Sequence, residues 1–305
     1  VLTLDAPEWP VVVELGGMRV AGDGPSTMRD ALGEAGWSLR AADSTARRAA
    51  DGASINDEGL REAVLDRARA AAEGFPFDIP LSTALTALSP FGTESAPAAL
   101  SEDEAAAAAV TEIVGGRAGA LARQLSTVSG LDELAPDWGA VVEGGLQRHI
   151  GELLEGTDVL LASAVTAVLY DDDGVGIRLA TGESISVDRV VVTVPLGVLK
   201  DGGITFEPQL PATHREAIAR LGVGTLETVA LRFEQAAWSD TAAIWHLDPT
   251  EDSLVTEWVN LQALLGEPVL VGLIGPQQFS RFERLNDAEL TDQLMLELAP
   301  FVRSP

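Results

Sequence analysis

The sequence predicts an α/β protein, with helices concentrated in the first half of the chain and strands in the second. Apolar residues recur at helical spacing between about residues 25 and 134, and short β-branched runs bounded by turn residues follow after residue 158. With 305 residues, 46% of them hydrophobic, the chain can bury one large core or two ordinary ones. No apolar run reaches the length of a membrane-spanning helix, so no membrane association is predicted.

The charge of the chain limits its partners. Its formal net charge is −27, and such an excess of carboxylates repels phosphate backbones, which argues against nucleic-acid binding. The same charge could steer cationic amines toward a cleft. Solubility is the preferred explanation, because net charge affects solubility more directly than it marks a site.

The composition also limits metal and redox chemistry. The chain contains no cysteine, and its three histidines, His149, His214 and His246, lie far apart in sequence. Disulfides and thiolate metal sites are therefore excluded, and neither a histidine metal site nor a Ser-His-Asp triad is expected. A cysteine-free chain fits a reducing compartment, so a cytoplasmic location is expected. Because the chain begins at Val1 rather than at a methionine, a preceding segment is also expected.

Two short strands are predicted at the start of the chain, in V-L-T-L-D and in V-V-V-E-L-G-G-M-R-V. The second strand ends in Gly16 and Gly17. Because neither residue carries a Cβ, a ligand could approach the backbone closely here. An ordinary strand end is the alternative.

The helical half of the chain contains several capping signals. A Ser or Thr cap near residue 26 begins the first helix. Asn56 or Asp57 is expected to cap the next helix, and Ser101 with Glu104 forms a capping box before an alanine-rich helix. Apolar residues of the second helix fall on one stripe: Leu60, Val64, Leu65 and Ala68.

Strands dominate the second half. D-V-L-L-A-S-A-V-T-A-V-L-Y leads into a strand that pairs across D-D-D-G with G-I-R-L-A, and T-G-E turns into a third strand. A helix is predicted near Pro211, followed by strands in T-V-A-L-R-F, A-I-W-H-L, V-T-E-W-V-N and P-V-L-V-G-L-I-G. A last helix begins at Asn286 or Asp287. Because large aromatics dominate cores, three tryptophans are expected to be buried: Trp238, Trp245 and Trp258.

One stretch of the second half contains the only lysine of the chain, Lys200. It follows an apolar β-branched run, Val190 to Val194, which predicts a buried strand ended by Pro195 and Gly197. A buried lysine can lose its proton, whereas arginine remains charged, so a single lysine could serve chemistry that needs a tunable amine. A surface cation without a special role is the alternative.

The string V-V-V-T-V-P-L-G-V-L-K followed by I-T-F-E-P-Q-L-P resembles the lysine segment of the flavin-dependent amine oxidases. This family includes monoamine oxidases, polyamine oxidases and lysine-specific histone demethylases. Its members hold a water against N5 of the flavin with the lysine that aligns with Lys200. The resemblance therefore implies FAD as the cofactor and Lys200 as a catalytic residue buried beside it. It also places Pro195 against the cofactor.

A second segment, E-L-G-G-M-R-V-A-G, resembles the part of the family in which the residues after a double glycine line the flavin ring. By this resemblance Gly16, Gly17, Met18 and Arg19 contact the cofactor. Amino-acid oxidases of the same superfamily carry a similar G-M-R, whose arginine grips the substrate carboxylate. A guanidinium suits that task because it binds a carboxylate through two parallel hydrogen bonds. The alternative is an arginine paired with a neighbouring acid.

Two further features complete the resemblance. V-V-E-G-G-L-Q-R-H-I-G-E-L-L-E-G resembles the glycine pair and the following helix of the family, although the aromatic residue usual after the glycines is absent. In the three-stranded meander that comes next, Val165 matches the residue whose backbone meets the adenine of FAD.

The resemblance implies an α+β substrate domain with a mixed sheet and helices, residues 25–135 and 201–305. Residues 1–24 and 136–200 would form part of an FAD-binding domain. The G-x-G-x-x-G motif that holds the dinucleotide pyrophosphate in family members is absent. Three explanations are open: the chain is a fragment, a partner chain supplies the dinucleotide-binding unit, or the chain binds no flavin. A fragment is the expectation.

The resemblance implies a function as well. An amine would pass a hydride from its α-carbon to N5 of FAD, the imine would hydrolyse, and oxygen would take up the electrons to give hydrogen peroxide. The substrate would be a small amine, or an amino acid if Arg19 binds a carboxylate. The alternative from another class is a binding or scaffold module that keeps the fold without flavin. No metal site is expected.

Overall fold

The computed structural model describes residues 2–20, 27–49, 51–55, 59–86, 110, 117–128, 138–248 and 252–302. The chain divides into two compact units. The larger unit comprises Val1–Leu153 and Gly224–Pro305, and the smaller one comprises Leu154–Val223. The predicted flavin and substrate domains have other boundaries, and that division stays a prediction.

Strands and helices occur in both units. The strands are β1 Leu2–Leu4, β2 Val13–Gly16, β3 Leu39–Ala41, β4 Thr45–Arg48, β5 Ala140–Val142, β6 Val165–Tyr170, β7 Val175–Leu179, β8 Ser184–Val187, β9 Thr205–Glu207, β10 Glu227–Arg232, β11 Ile244–Leu247, β12 Glu257–Asn260 and β13 Val269–Ile274. The helices are α1 Thr27–Glu34, α2 Leu60–Glu73, α3 Leu81–Thr86, α4 Leu146–Leu153, α5 Leu196–Asp201, α6 Ala212–Arg220, α7 Leu261–Leu265, α8 Phe279–Phe282 and α9 Asp287–Leu298. The predicted α/β class is confirmed.

A five-stranded sheet forms the centre of the larger unit, in the order β10-β13-β12-β11-β4. β4 joins β11 in parallel, whereas the other neighbours pair antiparallel, so the predicted mixed sheet is confirmed. Every residue of β12 and β13 is buried. A charged residue on such a central strand must find its partners inside the protein.

Two hydrophobic clusters cover the faces of this sheet, because side chains alternate between faces along each strand. One face carries Ile244 and Val259 and packs against Trp138. The other carries Trp245 and Trp258 and packs against α9 and the residues after it. Trp238 is buried in the second cluster too. The prediction that three tryptophans belong to the core is confirmed.

Smaller sheets position the first glycine segment. The two strands predicted at the start of the chain are β1 and β2, which pair antiparallel, and β3 pairs with β5. Val20 and Ala140 then form an isolated bridge with two backbone hydrogen bonds of 2.9 Å. The bridge fixes the backbone after the double glycine next to the first residue of β5.

The smaller unit contains a four-stranded sheet in the order β8-β7-β6-β9. β6, β7 and β8 form the predicted meander, and β9 adds to β6 in parallel. The predicted buried strand at Val190–Val194 is wrong. This segment has no regular structure, and Val191 is 84% exposed. No described residue pairs with it, and an unpaired extended segment lacks the neighbours that define a strand.

The predicted helices appear where the described residues can test them. Val64, Leu65 and Ala68 form the buried face of α2. The side chain of Asn286 accepts hydrogen bonds from the first turn of α9, and Glu289 completes a capping box, so the Asn286 alternative is correct. The predicted cap of α2 at Asn56 or Asp57 is wrong, because the N-cap of α2 is Gly59, which has no side chain to form a capping hydrogen bond. Ser101 and Glu104 lie outside the described residues. None of the described helices has the length and apolar character to cross a membrane.

Candidate functional site

The end of β2 has the backbone that the glycine segment predicts. Gly17 has a φ of 77°, a conformation that favours glycine. Among the described residues, a Cβ built on Gly16 or Gly17 would meet no heavy atom within 4 Å, so these residues leave open space against the backbone at both positions. Met18 is buried and Arg19 is half-buried. The backbone at Gly16 and Gly17 therefore leaves room for a flat ring, and contacts of Gly16, Gly17, Met18 and Arg19 with a flavin stay a prediction.

Arg19 is held by the backbone of a distant residue. Its Nε donates a hydrogen bond of 2.6 Å to the carbonyl oxygen of Trp138. The bridge between Val20 and Ala140 lies next to this contact and sets the distance between the two chain segments. This bond orients the guanidinium of Arg19 relative to the segment that contains Trp138.

The indole of Trp138 is fixed in turn by a buried carboxylate. Its Nε1 donates a hydrogen bond to Oε1 of Glu257, which lies on the central strand β12. Nε and Nη2 of Arg117 approach Oε2 of Glu257 at 3.1 and 2.8 Å, and Nε2 of His246 lies 3.5 Å from the same oxygen. These four residues, Arg117, Trp138, His246 and Glu257, are called the Glu257 cluster.

Electrostatics keep the carboxylate of this cluster ionised. Glu257 is 1% exposed. Burial alone would raise the pKa of its carboxyl, but the charges of Arg117 and His246 and the hydrogen bonds from Arg117 and Trp138 outweigh burial and hold that pKa below its usual value. The bond from the Trp138 indole is therefore charge-assisted, and such bonds are stronger than neutral ones.

A second carboxylate connects β2 to the glycine pair before α4. Glu14 is buried, and its Oε1 accepts a hydrogen bond of 2.5 Å from the N–H of Leu146, at the start of α4. Its Oε2 accepts one of 2.9 Å from Thr3. Gly144 and Gly145 both have positive φ, at 83° and 84°. The strand that leads to the double glycine is thus fixed to the N-terminus of α4.

The smaller unit contains the lysine segment. Lys200 lies in the last turn of α5, and its Nζ donates a hydrogen bond of 2.9 Å to the carbonyl oxygen of Ala219, near the end of α6. Lys200 is exposed, so its expected burial is wrong for this chain. Cations often stabilise the last carbonyls of a helix, which is a structural role that the sequence did not predict. The catalytic role of Lys200 stays a prediction.

Two other predicted cofactor residues also belong to the smaller unit. Val165 is half-buried at the start of β6, opposite Leu179, and the ladder between β6 and β9 begins only at Ala167. Pro195 is exposed and directly precedes α5. The flavin contacts of Val165 and Pro195 stay predictions. Those of Gly16, Gly17, Met18 and Arg19 stay predictions as well.

Sequence reasoning missed the Glu257 cluster. The signal for Glu257 was present, because V-T-E-W-V-N places an acid in an apolar strand, and buried acids are rarely unpaired. The partners gave no signal, because Trp138 and Arg117 lie 119 and 140 positions away. Among the described residues, no group of three or more His, Cys, Asp and Glu is arranged to hold a metal ion.

Structural comparison supports the fold. A structure of wild-type putrescine oxidase bound to putrescine superposes with a TM-score of 0.71 at 18% identity, covering 95% of this chain and 71% of that one. A triple mutant of putrescine oxidase superposes with a TM-score of 0.73 at 18% identity. The superposition covers 99% of this chain and 72% of that one. At this identity the likeness concerns the fold alone, and that fold is mixed α/β.

Sequence comparison identifies relatives. Polyamine oxidase 4 of Oryza sativa subsp. japonica is 36% identical over 154 residues, which are 50% of this chain and 31% of that protein. Polyamine oxidase 2 of Arabidopsis thaliana is 32% identical over 167 residues, 55% of this chain and 34% of that protein. Lysine-specific histone demethylase 1 homolog 3 of Oryza sativa subsp. japonica is 34% identical over 143 residues, which are 46% of this chain and 18% of that protein. The matched part of the chain spans about a third or less of the length of these relatives.

A family model described as flavin containing amine oxidoreductase matches residues 102–304, which is more than half of the chain. This match includes the lysine segment and the strands that carry His246 and Glu257, and it agrees with the relatives and with the fold. The chain therefore belongs to the flavin containing amine oxidoreductase family.

Proposed function

We propose that this chain is part of a flavin-dependent oxidase that acts on a small amine or amino acid. The observation that carries the proposal is the open space beside Gly16 and Gly17, next to a guanidinium held by the backbone, in a chain of this family. Relatives named polyamine oxidase, and the likeness to a putrescine oxidase that binds putrescine, support an amine as the substrate.

FAD is the proposed cofactor, and when bound it would supply the oxidation of the amine by accepting a hydride from the α-carbon. The backbone of Gly16 and Gly17 would lie against the ring, and Met18 would pack at its side. For Val165 and Pro195, contacts with FAD are proposed on the family resemblance alone. The unit that holds its pyrophosphate would come from a further segment or from a partner chain, because the sequence contains no G-x-G-x-x-G.

Lys200 is proposed to hold a water near the reacting amine. An ammonium has three donors. The bond to the carbonyl of Ala219 uses one of them and fixes the direction of the side chain, which leaves two donors for a water. Lys200→Met should slow turnover of the flavin-loaded enzyme, and Lys200→Arg should not restore it if a tunable amine is required. If Lys200→Met leaves the turnover rate unchanged, Lys200 has no catalytic role and serves only through its hydrogen bond to α6.

Arg19 supports a second candidate function, oxidation of an L-amino acid. It follows the double glycine and Met18, in a G-M-R similar to that of the amino-acid oxidases. A guanidinium and a carboxylate have matching planar geometry. Arg19→Ala should raise the KM for an amino acid and leave the KM for the corresponding amine unchanged. An unchanged KM for the amino acid would exclude this candidate.

The main alternative is a module that keeps the fold but binds no flavin. The absorption spectrum of the purified protein tests this directly, followed by titration with FAD and an assay for hydrogen peroxide with putrescine. A flavin spectrum and peroxide formation support the oxidase. A colourless protein that takes up no added FAD, even with its further segments or partner present, would instead support the binding module.

A further inference from the structure

We propose that the smaller unit contains a binding site for a small amphipathic carboxylate, in a cleft between α5, β9 and α6 with Arg215 as its cation. The cleft is lined by residues between positions 199 and 218. None of the lining residues has a role in the proposed oxidation of an amine. The inference therefore goes beyond that function.

The cleft has the size of a site for a small molecule. Its volume is about 310 Å³, at the lower end of the range of about 300–1,000 Å³ that such sites have in proteins. Its walls are α5, α6 and β9, together with the residues next to them. The hydrogen bond from Nζ of Lys200 to the carbonyl oxygen of Ala219 connects α5 to α6. The two helical walls are thus held together by a direct contact.

The walls of the cleft are apolar and incompletely covered by the protein. Neither α5 nor α6 contains a buried residue. Each apolar side chain that lines the cleft is only half-buried. These side chains are Leu199, Ile204, Phe206, Leu210 and Ile218. An aliphatic or aromatic group bound here would remove this apolar surface from water, so the body of the ligand should be apolar.

Arg215, near the start of α6, provides the charge of the cleft. Its Nη1 donates a hydrogen bond of 2.7 Å to Oε1 of Gln209, which also lines the cleft. An amide oxygen is neutral, so this bond orients the guanidinium without neutralising it. Among the described residues, no carboxylate lies within ion-pair distance of Arg215. By contrast, Arg220 on the same helix pairs with Glu216 at 2.5 Å.

Charge and shape together select the class of ligand. A guanidinium binds a carboxylate through two parallel hydrogen bonds, which makes an anion of this shape the natural partner of Arg215. An amine would be repelled by the same charge, so the cleft does not suit the proposed substrate of the oxidase. One cation beside an apolar wall fits one anionic group on an apolar body. Octanoate has both features and serves as the test ligand.

Methyl NMR of the complete protein, with or without flavin, locates the binding, because two isoleucines line the cleft. Octanoate, added below the concentration at which it forms micelles, should shift the δ1-methyl signals of Ile204 and Ile218. Ile244 and Ile274 are fully buried in the central sheet of the larger unit, and their signals should not shift. No shift at Ile204 and Ile218 would overturn the proposal.

Arg215→Met removes the cation and keeps a side chain of similar length. Because Arg215 is exposed, the variant should fold as the wild type does. We expect the dissociation constant for octanoate to rise about tenfold, which corresponds to about 1.4 kcal/mol. The value for octanol, which has the same chain without the charge, should stay close to that of the wild type. Arg220→Met is the control, since it removes the same charge from the same helix outside the cleft.

Gln209→Glu tests the same contact while keeping the cation. The new carboxylate would lie where the amide now contacts Arg215, and it would supply the anion that the ligand otherwise brings. We therefore expect octanoate affinity to fall here as well. Unchanged affinity in either Arg215→Met or Gln209→Glu would show that the guanidinium does not bind the carboxylate. Equal affinity of the wild type for octanoate and octanol would show that the cleft is only an apolar surface, and the proposal would be wrong.

Discussion

Arg117 and Glu257 lie 140 positions apart in sequence and form an ion pair with a distance of 2.8 Å between Nη2 and Oε2. Their side chains are 4% and 2% exposed. Removing water from two charges is costly, so such a pair contributes little net stability compared with apolar residues of the same size. Removing one partner is different, because the other charge then remains buried without compensation.

Arg117→Met should therefore destabilise the protein by about 3–5 kcal/mol. The measurement is the free energy of unfolding in urea. Arg148→Met is the control, since Arg148 pairs with Glu152 on the exposed face of α4 and exposed pairs contribute little. A loss for Arg117→Met no larger than that of the control would show that Glu257 does not depend on this partner.

Glu257 should give the protein an acid-sensitive stability. Its folded-state pKa is lowered, because the attraction of Arg117 and His246 outweighs the effect of burial. Stability from this group is therefore present above the unfolded-state pKa and is lost as pH falls through the folded-state pKa. Urea midpoints measured from neutral pH downward should decrease less steeply in Glu257→Gln than in the wild type. Parallel curves would contradict this assignment.

Glu297 should give the opposite dependence. Burial raises the pKa of its carboxyl above the usual value, although hydrogen bonds of 2.7 and 3.2 Å from the N–H groups of Leu254 and Val255 oppose the shift. Stability from this group is present below the unfolded-state pKa and is lost as pH rises through the folded-state pKa. Glu297→Gln should remove that loss, so its stability relative to the wild type improves as pH rises from acidic to neutral. A difference that stays constant with pH would contradict the raised pKa.

The strands show which part of the fold could be predicted from the sequence. Val269–Ile274 and Val190–Val194 are both short, apolar and rich in β-branched residues. The first is a central strand, whereas the second pairs with no described residue and is mostly exposed. Periodicity reports that a segment is apolar, but it does not report whether neighbouring strands exist. The prediction succeeded where the partners were close in sequence, as in β6, β7 and β8.

The candidate site also contains residues that the sequence could predict and residues that it could not. The glycines of β2 and the following Met18 and Arg19 were predicted from a local string of letters, and the structure describes them with open space beside both glycines. Trp138 and Glu257 carry no such string. Their relation depends on two segments 119 residues apart that meet only in the folded chain, and a single sequence contains no information on that contact.

The glycine pair before α4 provides a comparison of two positions with the same backbone. Gly144→Ala should cost only the strain of a positive φ, about 1 kcal/mol, because no atom in the part of the chain that the structure describes lies within 4 Å of the new Cβ. Gly145→Ala should cost clearly more, since its Cβ would lie 2.7 Å from Cγ1 of Val12 and 3.1 Å from Oε1 of Glu14. The two free energies of unfolding test this. Equal losses would show that the strand and α4 can move apart.

Gly16→Ala tests the cofactor site without disturbing the fold. The new methyl group meets no atom of a described residue within 4 Å, and φ at this position is not in the left-handed region, so thermal stability should stay close to that of the wild type. If FAD lies against this backbone, the methyl group occupies part of its space. The dissociation constant for FAD should then rise about tenfold or more, since overlap in a packed contact costs about 1–3 kcal/mol.

Gly33→Ala is the matched control for this experiment. Gly33 lies in α1, and a Cβ there also meets no described atom within 4 Å. Alanine favours a helix more than glycine does, so this variant should be slightly more stable and should bind FAD as the wild type does. The ratio of the two dissociation constants therefore measures contact at β2 alone. If Gly16→Ala and Gly33→Ala bind FAD equally well, the flavin ring does not lie against the double glycine, and the proposed site on β2 is wrong.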